Sequence, residues 1–209
     1  MPHELPGLAS IVAILRGVTP ERAVTVGCVI FEAGISAIEV PLNSPQPFDS
    51  IAKLSSALGA SCLCGAGTVL DPADVRRAHD AGARLIVAPN TNGDVIAAAA
   101  ERRMIAMPGF ATATEAFVGI DAGAAHLKLF PAASYGAGHL KALKAVLPKH
   151  VGIYAVGGVG ADDVERWISA GAAGFGFGSE LFKPDYTDTD IAARAKRLVE
   201  SVRRVLQHT

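Results

Sequence analysis

The stretch DAGAAHLKLFPA, residues 121–132, decides how the chain is read. Asp121-Ala122-Gly123 has the form of a helix end, where glycine takes the left-handed conformation that stops a helix. The stretch from His126 to Ala132 then reads as a short apolar strand with one lysine in its middle. The same punctuation recurs before other apolar runs: Glu-Ala-Gly at 32–34, Asp-Ala-Gly at 80–82 and Ser-Ala-Gly at 169–171, at intervals of roughly 41 to 48 residues. Each interval holds two strand–helix units, so four repeats give eight strands.

Working outward, strands are predicted at 11–17, 37–43, 62–69, 85–90, 104–109, 126–132, 152–159 and 174–181. A helix follows each. Thr19-Pro20, Ser44-Pro45 and Asp71-Pro72 have the chemistry of helix starts, and Thr112 with Glu115 forms a capping box. An amphipathic helix over 189–206 closes the chain. Strict alternation of strand and helix demands parallel strands joined by crossovers. No G-x-G-x-x-G opens the first helix, so the dinucleotide-fold fingerprint is missing. The expectation is α/β, one (β/α)8 TIM-barrel domain over residues 1–209, near the lower end of the length that barrel needs.

Composition narrows the function classes. Half the residues are hydrophobic, enough for a large core, and the formal net charge is −1. With no basic stripe, nucleic acid is not an expected partner. No apolar run reaches the roughly 18 residues of a membrane span. The N-terminus MPHELPGLAS lacks the basic-then-apolar pattern of a signal peptide. Three sparse cysteines, Cys28, Cys62 and Cys64, fit reduced thiols in a cytoplasm. Cys62 and Cys64 fall on one strand face, where core packing explains them better than metal ligation.

Charges inside apolar strands point to chemistry. Of seven lysines only Lys128 lies between leucines in a strand, and of nine glutamates only Glu39 lies inside an apolar strand. A lysine buried in this way loses proton affinity, and the neutral amine attacks carbonyls. In a barrel of this class the chemistry sits at the C-terminal strand ends. Arg16, Thr68, Pro89, Pro108, Gly157-Gly158 and Gly178-Ser179 all stand there. Strand alternation puts Phe130 on the face of Lys128, and Pro41 on the face of Glu39. The glycine-rich ends of strands seven and eight suit a phosphate held by backbone N–H groups, with the Ser179 hydroxyl added. Each position has a plainer alternative. Lys128 snorkels, Arg16 pairs with a surface carboxylate, Glu39 is only a partner for Lys128, and the prolines and glycines are strand stops and turns. The six histidines form neither H-x-H nor H-E-x-x-H. No metal and no cofactor are therefore expected, and an iminium on lysine is the electron sink.

The segments AILRG, EVPLNSP, GAGTVL, VAPN, PGFATATEA, LKLFPA, YAVGGV and GSELF run over almost the whole chain. Together they resemble the class I 2-keto-3-deoxy-6-phosphogluconate/phosphogalactonate aldolase family. Arg16 in AILRG and the PLNSP after Glu39 look like its phosphogalactonate branch. The resemblance implies a phosphorylated 2-keto-3-deoxy sugar acid as substrate, with pyruvate and D-glyceraldehyde 3-phosphate as products. It implies that Lys128 forms the imine and Glu39 moves protons. Arg16 and Thr68 would hold the carboxylate end, with Pro89 and Phe130 lining the site. Gly157, Gly158, Gly178 and Ser179 would hold the phosphate. It also implies a homotrimer. Two alternatives stay open: the gluconate epimer, alone or as a second substrate, and a non-catalytic phosphate-binding barrel.

Overall fold

Strand and helix alternate along the computed structural model, which describes residues 11–207. The N-terminal stretch read above, with His3, lies outside the described residues, as does His208. The strands are β1 (Ile11–Ile14), β2 (Ala37–Pro41), β3 (Leu63–Gly67), β4 (Leu85–Val87), β5 (Ile105–Met107), β6 (Gly109–Phe110), β7 (His126–Leu129), β8 (Gly152–Val156) and β9 (Gly174–Phe177). They form one sheet in the order β5-β4-β3-β2-β1-β9-β8-β7-β6. Every pairing in it is parallel. Its two end strands are consecutive in the chain and joined through Pro108, so the sheet is a nearly closed barrel.

Nine strands stand where eight were expected because Pro108 breaks the fifth. Proline has no N–H to give a ladder and interrupts a strand at that point. The halves serve different neighbours. Ile105–Met107 pairs with β4, and Gly109–Phe110 pairs with β7.

The helices are α1 (Ala23–Glu32), α2 (Pro47–Leu58), α3 (Pro72–Asp80), α4 (Gly93–Glu101), α5 (Ala113–Asp121), α6 (Ala132–Tyr135), α7 (Ala137–Lys144), α8 (Val164–Ser169) and α9 (Asp188–Leu206). Asp71 caps α3 by accepting from the Ala73 N–H at 2.8 Å, and Thr112 with Glu115 closes the expected box on α5. Thr19-Pro20 does not start α1. It lies in a turn, and the helix begins at Ala23 with no side-chain cap. Gly34, Gly82, Gly123 and Gly171, which follow the helix ends of the repeat, all have positive φ.

Alternation divides the strand residues between two cores. Val12, Ile14, Leu63, Leu85, Val87, Met107, Tyr154 and Val156 fill the barrel interior. Their neighbours Ile11, Ala13, Ile38, Val40, Leu127, Leu129, Phe175 and Phe177 pack outward beneath the helices. Cys62 and Cys64 join that outer layer as free thiols.

Candidate active site

The inward face of β2 carries Ala37, Glu39 and Pro41, and that of β7 carries His126 and Lys128. Glu39 is 1% exposed and Lys128 is 5% exposed. Among the described residues these are the only buried charged side chains. In the ring, β1, β9 and β8 separate β2 from β7 on one side, and β3 to β6 separate them on the other. The two side chains therefore face each other across the barrel. No ion pair among the described residues joins them.

Burial controls both groups. It raises the Glu39 carboxyl to about 7, against the lowering pull of Lys128 and Arg16. Burial also lowers the Lys128 ammonium; Glu39 opposes that shift and Arg16 adds to it. Each group is pushed toward its neutral form, as desolvation requires. A neutral amine is a nucleophile, and a carboxyl that titrates near 7 both gives and takes protons at neutral pH. Phe130 lies on the same strand face, with the Lys128 ammonium 4.8 Å from its ring centre.

Glu39 has no donor for its Oε2, which is fully buried. It lies over Gly67 of β3, and a β-carbon there would stand 1.8 Å from that oxygen. Sequence reading missed this glycine, since an absent side chain leaves no mark of what occupies its space.

Arg16 follows β1 and is exposed at the barrel mouth. Its guanidinium donates to Asn43 Oδ1 and, at 3.5 Å, to Thr68 Oγ1. Thr68 holds φ at +55°, a conformation rare for a β-branched residue. Ser44 accepts from the Gly17 N–H at 2.9 Å, tying the loop after β2 to the loop after β1. Asn43 was not singled out in the sequence, although it lies in PLNSP; one polar residue in a loop carries no distinguishing signal.

A cavity of about 360 Å³ opens beside Lys128. Its walls come from β1, β7, β8 and β9, and Arg16, Lys128, Phe130, Gly157, Gly158, Gly178 and Ser179 line it. Gly157 and Gly158 have positive φ, and Phe130 packs against Gly157 where a β-carbon would lie 3.2 Å from the ring. Lys183 and Pro184 also line the cavity. Neither was singled out in the sequence, where Lys183 lies outside the leucine-flanked setting that marks Lys128. Glu39, Thr68 and Pro89 do not line this cavity. Thr68 and Pro89 follow β3 and β4 on the opposite half of the mouth, where the Pro89 carbonyl lies against Gly109. Among the described residues no three His, Cys, Asp or Glu side chains group to hold a metal.

Comparison with known proteins supplies independent findings. A family model described as KDPG and KHG aldolase matches residues 5–198. The chain is 46% identical over 198 residues to a 2-dehydro-3-deoxy-6-phosphogalactonate aldolase of Escherichia coli K12, covering 94% of this chain and 96% of that one. To the KHG/KDPG aldolase of the same organism it is 31% identical over 126 residues, covering 60% and 58%. A solved structure described as native KDPGal superposes with a TM-score of 0.94 at 42% identity, covering 99% of this chain and 98% of that one.

Proposed function

This chain belongs to the KDPG and KHG aldolase family, and we propose that it is a Schiff-base lyase cleaving 2-dehydro-3-deoxy-6-phosphogalactonate to pyruvate and D-glyceraldehyde 3-phosphate. One observation carries the reading: the buried amine and the buried acid face each other across the barrel, beside a cavity that ends in glycine-rich turns. The galactonate epimer is supported by the 46% identity over nearly the full chain, against 31% over a shorter span for the gluconate-type relative.

The neutral Lys128 amine attacks the C2 ketone. Glu39 gives a proton to the departing hydroxyl, and loss of water leaves an iminium. The Glu39 carboxylate then takes the C4 hydroxyl proton, directly or through a water. The electrons of the C3–C4 bond pass to the iminium, forming an enamine and releasing D-glyceraldehyde 3-phosphate. Protonation at C3 and hydrolysis free pyruvate and restore the amine. Arg16 and Thr68 take the carboxylate end, and Pro89 and Phe130 give apolar walls. Gly157, Gly158, Gly178 and Ser179 receive the phosphate. A non-catalytic phosphate-binding barrel would have no use for the amine and acid inside.

Residues 1–209 act in this reading as one domain, and the chain assembles as a homotrimer, as the family resemblance implies. The three free thiols support a reducing compartment, the cytoplasm. Among the described residues no helix is long and apolar enough to cross a membrane.

Incubation with pyruvate and sodium borohydride, followed by peptide mapping, tests the reaction class. A reduced adduct on Lys128 is expected, and an adduct elsewhere, or none, refutes it. Relative kcat/KM for the two C4 epimers tests the substrate, with the galactonate form expected to be preferred.

A further inference from the structure

The backbone does not call for glycine at position 67. Its φ lies outside the left-handed region, unlike those of the turn and helix-end glycines. What the site lacks is room. A β-carbon on Gly67 would stand 1.8 Å from Glu39 Oε2, 2.2 Å from Cδ and 2.4 Å from Oε1. The carboxyl thus occupies the place of a side chain on the neighbouring strand, flat against the barrel wall.

We propose that the empty position at Gly67 is a positioning device: it seats the Glu39 carboxyl against β3 and keeps it out of ion-pair reach of Lys128. The inference rests on the Schiff-base reading above and deepens it. In their charged forms the two groups attract each other. Oε2 has no hydrogen bond to anchor it. A methyl at position 67 pushes the carboxyl away from β3 and into the barrel, toward the ammonium on the opposite wall. A direct pair then fixes the lysine in its charged form and fills the gap that the reacting carbonyl and hydroxyl must enter.

The other groups that face Lys128 are few. Tyr154 is its register partner on β8, His126 shares its face of β7, and Arg16, Glu180 and Lys183 stand at the mouth. From β3 to β6 the inward residues are Leu63, Gly65, Gly67, Leu85, Val87, Ile105, Met107 and Gly109, none of which titrates. Glu39 is therefore the carboxylate whose movement changes the lysine most.

The test uses Gly67→Ala, checked for folding by circular dichroism, and pyruvate trapping with cyanoborohydride as a function of pH. An opposite charge at contact moves a pKa by roughly 1 to 3 units. The rising limb of the trapping profile should move to higher pH by at least about one unit. Trapping at pH 7 should fall about tenfold or more and recover at alkaline pH. Adding Glu39→Gln to Gly67→Ala removes the charge and should abolish the shift. An unmoved profile, a loss uniform across pH, or a shift that survives without the Glu39 charge overturns the proposal. If Gly67→Ala does not fold, Glu39→Ala/Gly67→Ala decides. Its folding supports the proposal, and its failure assigns the glycine to strand packing alone. Acetic anhydride labelling of Lys128 against pH reads the same shift without substrate. A wild-type chain that never traps pyruvate therefore refutes the Schiff-base reading and leaves this test standing.

Discussion

At the scale of one residue, Glu39 affects stability in the direction opposite to an ordinary surface acid. Burial lifts its carboxyl from 4.5 to about 7. Below about 4.5 the folded and unfolded chains both hold the proton and the shift has no effect. Between 4.5 and 7 the unfolded chain releases it while the folded chain keeps it, so stability is lost as pH rises through that window. The loss is complete above 7 and amounts to at most about 3 kcal/mol. Glu39→Gln keeps the shape and removes the titration. The variant should gain stability relative to wild type between pH 5 and pH 8, by about 1 to 3 kcal/mol in urea unfolding. An equal difference at both pH values would show that the carboxyl is not held in a desolvated place. On the mechanism proposed above the same substitution removes the proton carrier, so cleavage should fall by about 10² to 10⁴. Pyruvate trapping on Lys128 should persist at a lower rate. Near wild-type cleavage with faster trapping would instead make Glu39 a tuner of the lysine.

At the scale of elements, the segment after β9 governs one wall of the cavity. Gly178 O accepts from the N–H groups of Leu181 and Phe182, which turns the chain and ends the strand at Phe177 rather than at the predicted residue 181. Arg22, just before α1, then fastens the segment from outside. It donates to Pro184 O at 2.9 Å, to Tyr186 O at 3.1 Å and to Asp188 Oδ1 at 2.8 Å. Pro184 rests where a β-carbon on Gly17 would lie 2.9 Å away, next to Arg16. Arg22→Ala should loosen residues 182–187, raise KM several-fold and change kcat little. Lysine should not restore the wild-type value, since a point charge cannot serve three acceptors fixed by a planar fork. Hydrogen exchange over the segment and steady-state kinetics check this, and unchanged exchange would remove Arg22 from the role. The order and type of the elements were legible because apolar alternation and helix-end glycines are local signals. Their boundaries were not. The β9 turn is set by one carbonyl, and the helix expected after the strand that carries Lys128 is split into α6 and α7 at Gly136, whose φ is +79°. Lys128 and Glu39 were visible because a charge stands out in an apolar run. Gly67, Asn43 and Lys183 matter only through what lies across from them in space.

At the scale of the whole molecule, closure of the barrel and the seat of the amine share one seam. The chain crosses from β4 to β7 through the broken strand, with Ala88 N–H donating to Met107 O at 3.2 Å and Gly109 N–H to Asn90 O at 3.2 Å. On the other edge Lys128 N–H donates to Pro108 O at 2.8 Å, and Phe130 N–H to Phe110 O at 3.1 Å. Gly109 is the register partner of Lys128. A β-carbon there would stand 2.3 Å from the Pro89 carbonyl carbon and oxygen and 2.9 Å from Ala88 O. Those neighbours are backbone and cannot swing aside, so Gly109→Ala must spread the seam. Overpacking of this kind typically costs about 1 to 3 kcal/mol. The spreading acts directly beside Lys128, so the loss should not be thermal alone. Deuterium uptake should rise together over 105–110 and 126–130, while β1, β2 and β9 on the opposite wall keep their protection. Pyruvate trapping should weaken under conditions where the protein remains folded by circular dichroism. Lower stability with unchanged trapping and uptake confined to 105–110 would separate closure of the barrel from placement of the amine, and would leave β7 to position Lys128 by its pairing with β8 alone.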